Sequence, residues 1–157
     1  MSAVLEKFPL PLLTRTLLGE ERSIVLEKPF EFESARLGRI NIPTGFFSDL
    51  ASVPRLFWRL FPPSGKYTAA AIVHDFLYYH QSAQVNETDS VLIARADADA
   101  VFLEAMEALE TGWFTRHAIY RSVRIGGFIA WKTNYKKRTG KPYHSNMNKP
   151  LKNAKIR

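Results

Sequence analysis

The feature that most constrains the fold is a change of hydrophobic period along the chain. Before residue 43 apolar and polar residues alternate: Ile24 and Leu26 stand against Glu27, and Phe30 and Phe32 against Glu31 and Glu33. Successive residues of a strand face opposite sides, so this spacing gives each short strand one buried face. Strands are expected at 12–18, 22–27, 30–33 and 39–42 as an antiparallel meander, punctuated by Gly19, Pro29, Gly38 and Pro43. Beyond residue 67 the period becomes helical. Thr68 suits the N-cap of a helix through AAAIVHDFLYYH, and Ser90 that of a second through VLIARADADAVFLEAMEAL, closed near Gly112. A third helix is expected from about 115 to 135, with Gly126 and Gly127 predicting a kink or the close approach of another backbone. Between the two regimes, residues 44–66 are rich in proline and aromatic residues, which predicts an ordered loop with one short helix at 54–60. Strands first and helices after define an α+β domain: a small N-terminal antiparallel meander, an aromatic and Pro-rich loop, and about three helices.

Composition narrows the chemistry. There is no cysteine, which excludes disulfides, thiolate metal sites and cysteine nucleophiles. A chain of 157 residues is expected to form one domain without help from a metal. The net charge of +7 is unevenly spread: nine Lys or Arg and no acid lie from Lys132 onward, leaving 13 of the 22 basic residues to face all 15 acidic ones. Residues 1–135 are therefore read as the domain and 136–157 as a basic C-terminal arm. Lys136, Lys137, Arg138 and Lys141 of that arm could meet a polyanion such as nucleic acid, or an acidic protein surface, and a solvated tail has the same composition. Glu6 and Lys7 interrupt what would be the apolar region of a signal peptide, so no export signal is read. The apolar stretches at 69–73 and 126–131 fall far short of the roughly 20 residues that span a bilayer, so no transmembrane segment is expected.

One cluster of polar residues interrupts the apolar pattern. His74 and Asp75 stand in the middle of the first long helix, and Tyr78 lies one turn beyond His74 on the same face. On the next helix Arg95, Asp99, Phe102 and Met106 share a face, so Asp99 can point at the first. Asp49 sits in a loop framed by Gly and Pro, with Ser48 and Ser52 beside it. Three carboxylates are thus expected round one imidazole. Two readings stand. In the structural one, a carboxylate pins His74 while the other acids cap helices or pair with Arg55 and Arg95, so that every group is satisfied. In the catalytic one, His74 is a general base oriented by Asp99 from the other helix, with Asp49 counted in the catalytic set, while Asp75 and loop carbonyls at 63–65 hold a hard cation, Ca2+ being the candidate. An H-E-x-x-H zinc helix, a G-x-S-x-G elbow, a phosphate-binding loop and a dinucleotide fingerprint are all missing. The metal-dependent HD phosphohydrolases need a histidine upstream of the pair, and His74 is the first in the chain. His80, His117 and His144 have no acid close by in sequence and are read as surface or interface residues. Trp58, Trp113 and Trp131 are read as core or interface anchors.

The blocks GFFSDLASVPR at 45–55, FPPSGKYTAAAIVHDFLY at 61–78 and ADAVF at 98–102 resemble, in this order, a family found widely in phages and prophages. It is catalogued only as a domain of unknown function (one-three-five-three), and the match covers about residues 25–110. The resemblance implies a phage late-region or prophage setting. The protein expected there is a virion- or lysis-module protein that docks on other phage proteins through its body and basic arm, with Trp113 and Phe114 as an apolar anchor. Its location would be the host cytoplasm during infection, and the virion. Locally, His74, Asp75 and Tyr78 are similar to the HD-x-x-Y helix of phospholipase A2, with Asp99 standing for that family's later Asp. This likeness implies a cation-dependent hydrolase acting on an envelope component such as phospholipid, with His74 as base, Asp75 as cation ligand and Asp99 as orienter. The glycine-rich calcium loop of that family is reduced here to Pro62-Pro63-Ser64-Gly65, and the spacing to the next acid is short.

Overall fold

The computed structural model describes residues 3–17, 20–50, 67–84 and 89–143. A five-residue helix, α1 (Ala3–Lys7), leads into β1 (Thr14–Leu17), β2 (Glu20–Leu26), β3 (Phe30–Ser34), β4 (Gly38–Ile42) and β5 (Phe47–Ser48). There follow α2 (Tyr67–His80), the short strands β6 (Ser82–Gln84) and β7 (Ser90–Leu92), α3 (Arg95–Ala108) and α4 (Trp113–Thr139). The fold is α+β, with antiparallel ladders throughout the described strands.

The early strands split into two small sheets rather than one continuous meander. β2 pairs with β1 on one edge and β5 on the other, and β3 pairs with β4 alone. Pro29, which has no N–H to give a ladder, stands between β2 and β3. The chain returns to β2 at Gly45, whose φ of +82° lies in the left-handed region open to glycine. There Gly45 donates to the Leu26 carbonyl (2.8 Å) and Leu26 donates to that of Phe46 (3.0 Å), so β5 forms inside the segment expected to be loop. In β3 the alternation is realised, with Phe30, Phe32 and Ser34 buried. Phe8, just after α1, lies 5.6 Å from the ring of Phe30 and 4.7 Å from that of Phe32.

The helices supply most of the core. Ala70 and Ala71 of α2 and Ala98 and Ala105 of α3 are buried, and side chains this small let the two helices pack closely. α3 starts at Arg95, because Ser90, expected as its cap, pairs with Gln84 as the first residue of β7. The cap is built instead by Asp97, whose carboxylate accepts the Ala94 N–H (3.2 Å) and pairs with Arg36 (2.9 Å). About two turns further on, Glu104 accepts from Ser34 Oγ (2.8 Å), the Ala35 N–H (2.6 Å) and Lys7 Nζ (3.1 Å). Asp97 and Glu104 are seven residues apart and so share a face, and that face clamps α3 to the β3–β4 hairpin.

α4 begins two residues before the expected start and ends four after the expected finish. Gly140 closes it with φ +69°, and Lys136, Lys137 and Arg138 form its last turn, where cations meet the carbonyl end of the helix dipole. These three residues of the expected arm are therefore helical; residues 144–157 lie outside those described. α4 runs unbroken through Gly126 and Gly127. What approaches Gly127 is a side chain, not a backbone: a Cβ there would overlap Tyr78 Oη. Among the described residues no helix is long and apolar enough to cross a membrane.

Candidate functional site

Where α2, α3 and α4 meet, one fully buried carboxylate organises four side chains. Asp99 Oδ1 accepts the Tyr78 hydroxyl (2.6 Å) and lies 3.0 Å from His74 Nε2. Its other oxygen accepts from Arg124 (2.8 Å) and Arg95 (3.2 Å). Arg95 also donates to the Arg124 carbonyl (3.0 Å), which ties α3 to the backbone of α4. Burial alone would raise the Asp99 carboxyl, but the hydrogen bonds from His74, Tyr78 and Arg124 outweigh it, so Asp99 stays below the usual carboxylate range. Tyr78, buried and donating a hydrogen bond to that anion, is pushed well above an ordinary phenol.

His74 is 1% exposed, and its ring packs between Tyr78 (4.1 Å between centroids) and Phe102 (4.6 Å). Burial holds its pKa below the ordinary value, against the pull of Asp99. A neutral imidazole carries one proton, and the ionised Asp99 beside Nε2 places it there, as Nε2–H donating to Oδ1. Nδ1 is then a bare lone pair, and it has no hydrogen-bond partner among the described residues. The structural reading requires every group of the cluster to be satisfied; among the described residues this nitrogen has no partner.

Asp75 and Asp49 do not join the imidazole. Asp75 turns to β5, where its carboxylate accepts the Ser48 hydroxyl, and Ser48 Oγ in turn accepts the Leu50 N–H (3.1 Å). Burial, with Asp49 nearby adding like charge, pushes Asp75 up to about 7 despite the bond from Ser48. The expected convergence of three carboxylates on His74 is thus replaced by one, Asp99, because residues 74 and 75 project about 100° apart on α2. Ser52, Arg55 and the loop at 62–65 lie outside the described residues.

His74, Asp75, Ser48 and Asp49 line a cleft of about 670 Å³ between α2, α4 and β5. Its walls include Phe46, Val123, Ala130 and Ile129, and Lys137 stands on the α4 side. As for a cation, Asp75 offers one carboxylate already engaged by a hydroxyl, and among the described residues no three His, Asp or Glu gather as an ion's ligands would. The described donor set does not fit a calcium ion.

One contributor escaped the sequence and two were legible only in part. Arg124 has no pattern of its own, since it flanks the buried Val123 on a helix dense in cations. Ser48 was visible only as a neighbour of Asp49. Gly127 announces a close approach, but the sequence does not say that Tyr78 makes it.

A family model described as "Protein of unknown function (DUF1353)" matches residues 24–123. The chain belongs to this family. The DUF1353 match takes in His74, Asp75, Tyr78, Arg95 and Asp99 and ends one residue before Arg124. No curated protein and no solved structure matches the chain significantly.

Proposed function

We propose that this DUF1353 protein is a hydrolase in which His74 is the general base and Asp99 the residue that orients it. The observation that carries this reading is the buried Nδ1 of His74, which has no hydrogen-bond partner among the described residues, in a side chain that lines a cleft and is fixed through its other nitrogen. In the step that follows, Nδ1 takes a proton from water as the water oxygen bonds to an ester carbonyl. The imidazolium formed is stabilised by Asp99, and it returns the proton to the leaving alkoxide as the C–O bond breaks. Tyr78, Arg95 and Arg124 keep Asp99 ionised and in place. The apolar walls and Lys137 suit a substrate with an acyl chain and an anionic group, such as a phospholipid.

The test is release of fatty acid from a short-chain phosphatidylglycerol dispersed as monomers. His74→Gln should lower the rate by about 10²–10⁴-fold while the melting temperature stays close to that of the parent. An undiminished rate in His74→Gln would overturn the assignment, as would lack of hydrolysis by the parent chain.

A second reading, that of a phage late-module protein docking on virion or lysis-module partners, is favoured by Trp113 and Phe114. These are 56% and 83% exposed at the start of α4, with their rings edge to face. Its setting would be the host cytoplasm during infection, and the virion. Replacing both aromatics by serine should abolish capture of a phage structural protein and leave hydrolysis untouched.

A further inference from the structure

The outer face of α4 carries a pattern that the catalytic cluster does not use. Ile119, Val123 and Trp131 are buried on one side of this helix. On the opposite side Ile125 is 83% and Ile129 75% exposed, with Phe128 beside them at 42%. Helix propensity gives no reason for two β-branched residues at open positions one turn apart, where Lys, Glu or Ala would serve better. They form a short apolar ridge, and Arg121, Lys132 and Lys136 recur along the same exposed face at spacings of four, seven and eleven residues from Ile125 or one another. Lys132 Nζ sits 5.0 Å from the centre of the Phe128 ring, so its charge lies over the apolar ridge rather than away from it. Across all 27 residues of α4 there are seven Lys or Arg and no Asp or Glu.

We infer that this face of α4 seats the protein on an anionic lipid surface, with the ridge entering the headgroup boundary and the flanking cations meeting lipid phosphates. Apolar side chains interleaved with cations on a helix of low mean hydropathy are what a helix lying in the interface requires, and α4 is too polar to span a bilayer. A nucleic acid would satisfy the cations but gains nothing from exposed isoleucines, which neither stack on bases nor bond phosphates. Ile129 also lines the cleft that holds His74, so the seat and the cleft mouth adjoin. The seat stands on α4 alone; that it delivers a membrane lipid to the cleft rests on the hydrolase reading.

The experiment is sedimentation of the full chain with vesicles of phosphatidylcholine, with and without phosphatidylglycerol. Binding is expected to require phosphatidylglycerol, to fall with salt, and to weaken on the order of tenfold in Ile125→Glu and in the pair Lys132→Glu with Lys136→Glu. His74→Gln should bind as the parent does. Far-UV circular dichroism of each variant confirms that it is folded. Failure to bind the anionic vesicles overturns the inference, as does binding that Ile125→Glu leaves unchanged. A dimer that Ile125→Glu dissolves also overturns it, since a second copy would then cover the ridge. The two proposals separate cleanly: cleavage of monomeric lipid without vesicle binding removes the seat alone, and vesicle binding without cleavage removes the hydrolase alone.

Discussion

Around Phe32 the interior is hydrocarbon and serine; around Asp99 it is a carboxylate, a histidine, a tyrosine and two arginines. Both regions are buried, yet they are held by different physics. The hairpin side gains from the area of Phe8, Phe30, Phe32 and Ile42 removed from water, which does not depend on pH. The helical side buries ions, which is unfavourable unless each is matched, and matches them by bringing three helices to one carboxylate. Packing of the first kind tolerates small displacements, whereas the second depends on hydrogen-bond geometry at every partner. Such a network leaves little slack, and among the described residues His74 Nδ1 is a buried atom at its edge without a hydrogen-bond partner, which is why the proposed reaction is placed there.

The difference can be broken or sharpened by substitution. The largest effect on stability is expected for Asp99→Ala, which removes the carboxylate that His74, Tyr78, Arg95 and Arg124 share and should cost about 3–5 kcal/mol in urea unfolding. Phe32→Ala should cost a similar 3–5 kcal/mol by opening a cavity, but with no change in the pH dependence of stability. If Asp99→Ala cost no more than a surface change, the network would not be what holds the helices.

The adjacent glycines of α4 give a smaller and more selective contrast. Gly127→Ala should destabilise by about 1–3 kcal/mol, because the new methyl displaces Tyr78 from Asp99. Gly126→Ala meets nothing within 4 Å and should stabilise by about 0.5–1 kcal/mol through helix propensity. Thermal melts of the two variants moving in the same direction would contradict the contact with Tyr78.

Smaller still are the pH effects, and here two neighbours on α2 oppose each other. Asp75 is raised from 3.8 to about 7 in the folded chain, so the folded state holds its proton longer than the unfolded one. Its contribution is present at low pH and is lost as pH rises between about 4 and 7. His74 is lowered from 6.5, so its contribution is present above 6.5 and is lost as pH falls through the folded value. Asp75→Asn should therefore steepen the gain in stability with rising pH in this window, and His74→Gln should reverse it. Activity, if His74 is the base, should likewise decline as pH falls through its lowered pKa and level off at neutral pH.

Much of this was legible beforehand, and the rest was hidden for identifiable reasons. Period-2 spacing at Phe30 and Phe32 and helical spacing from Ala69 onward specify element type, because side-chain direction follows backbone repeat and needs no distant partner. The same logic put His74 and Tyr78 on one face, and Arg95 with Asp99. Ser90 was misread as a helix cap because its pairing with Gln84 is a tertiary event, and β5 was missed because a two-residue strand has no period. What the sequence determined by itself is the α+β order, the uneven charge and the presence of a polar patch in an apolar helix. Only the tertiary structure decided that Asp99 and not Asp75 meets the imidazole, that Arg124 closes the network, and that Nδ1 has no partner among the described residues. Those outcomes depend on how three helices rotate about their axes, a rotation set by the packing of residues far apart in the chain.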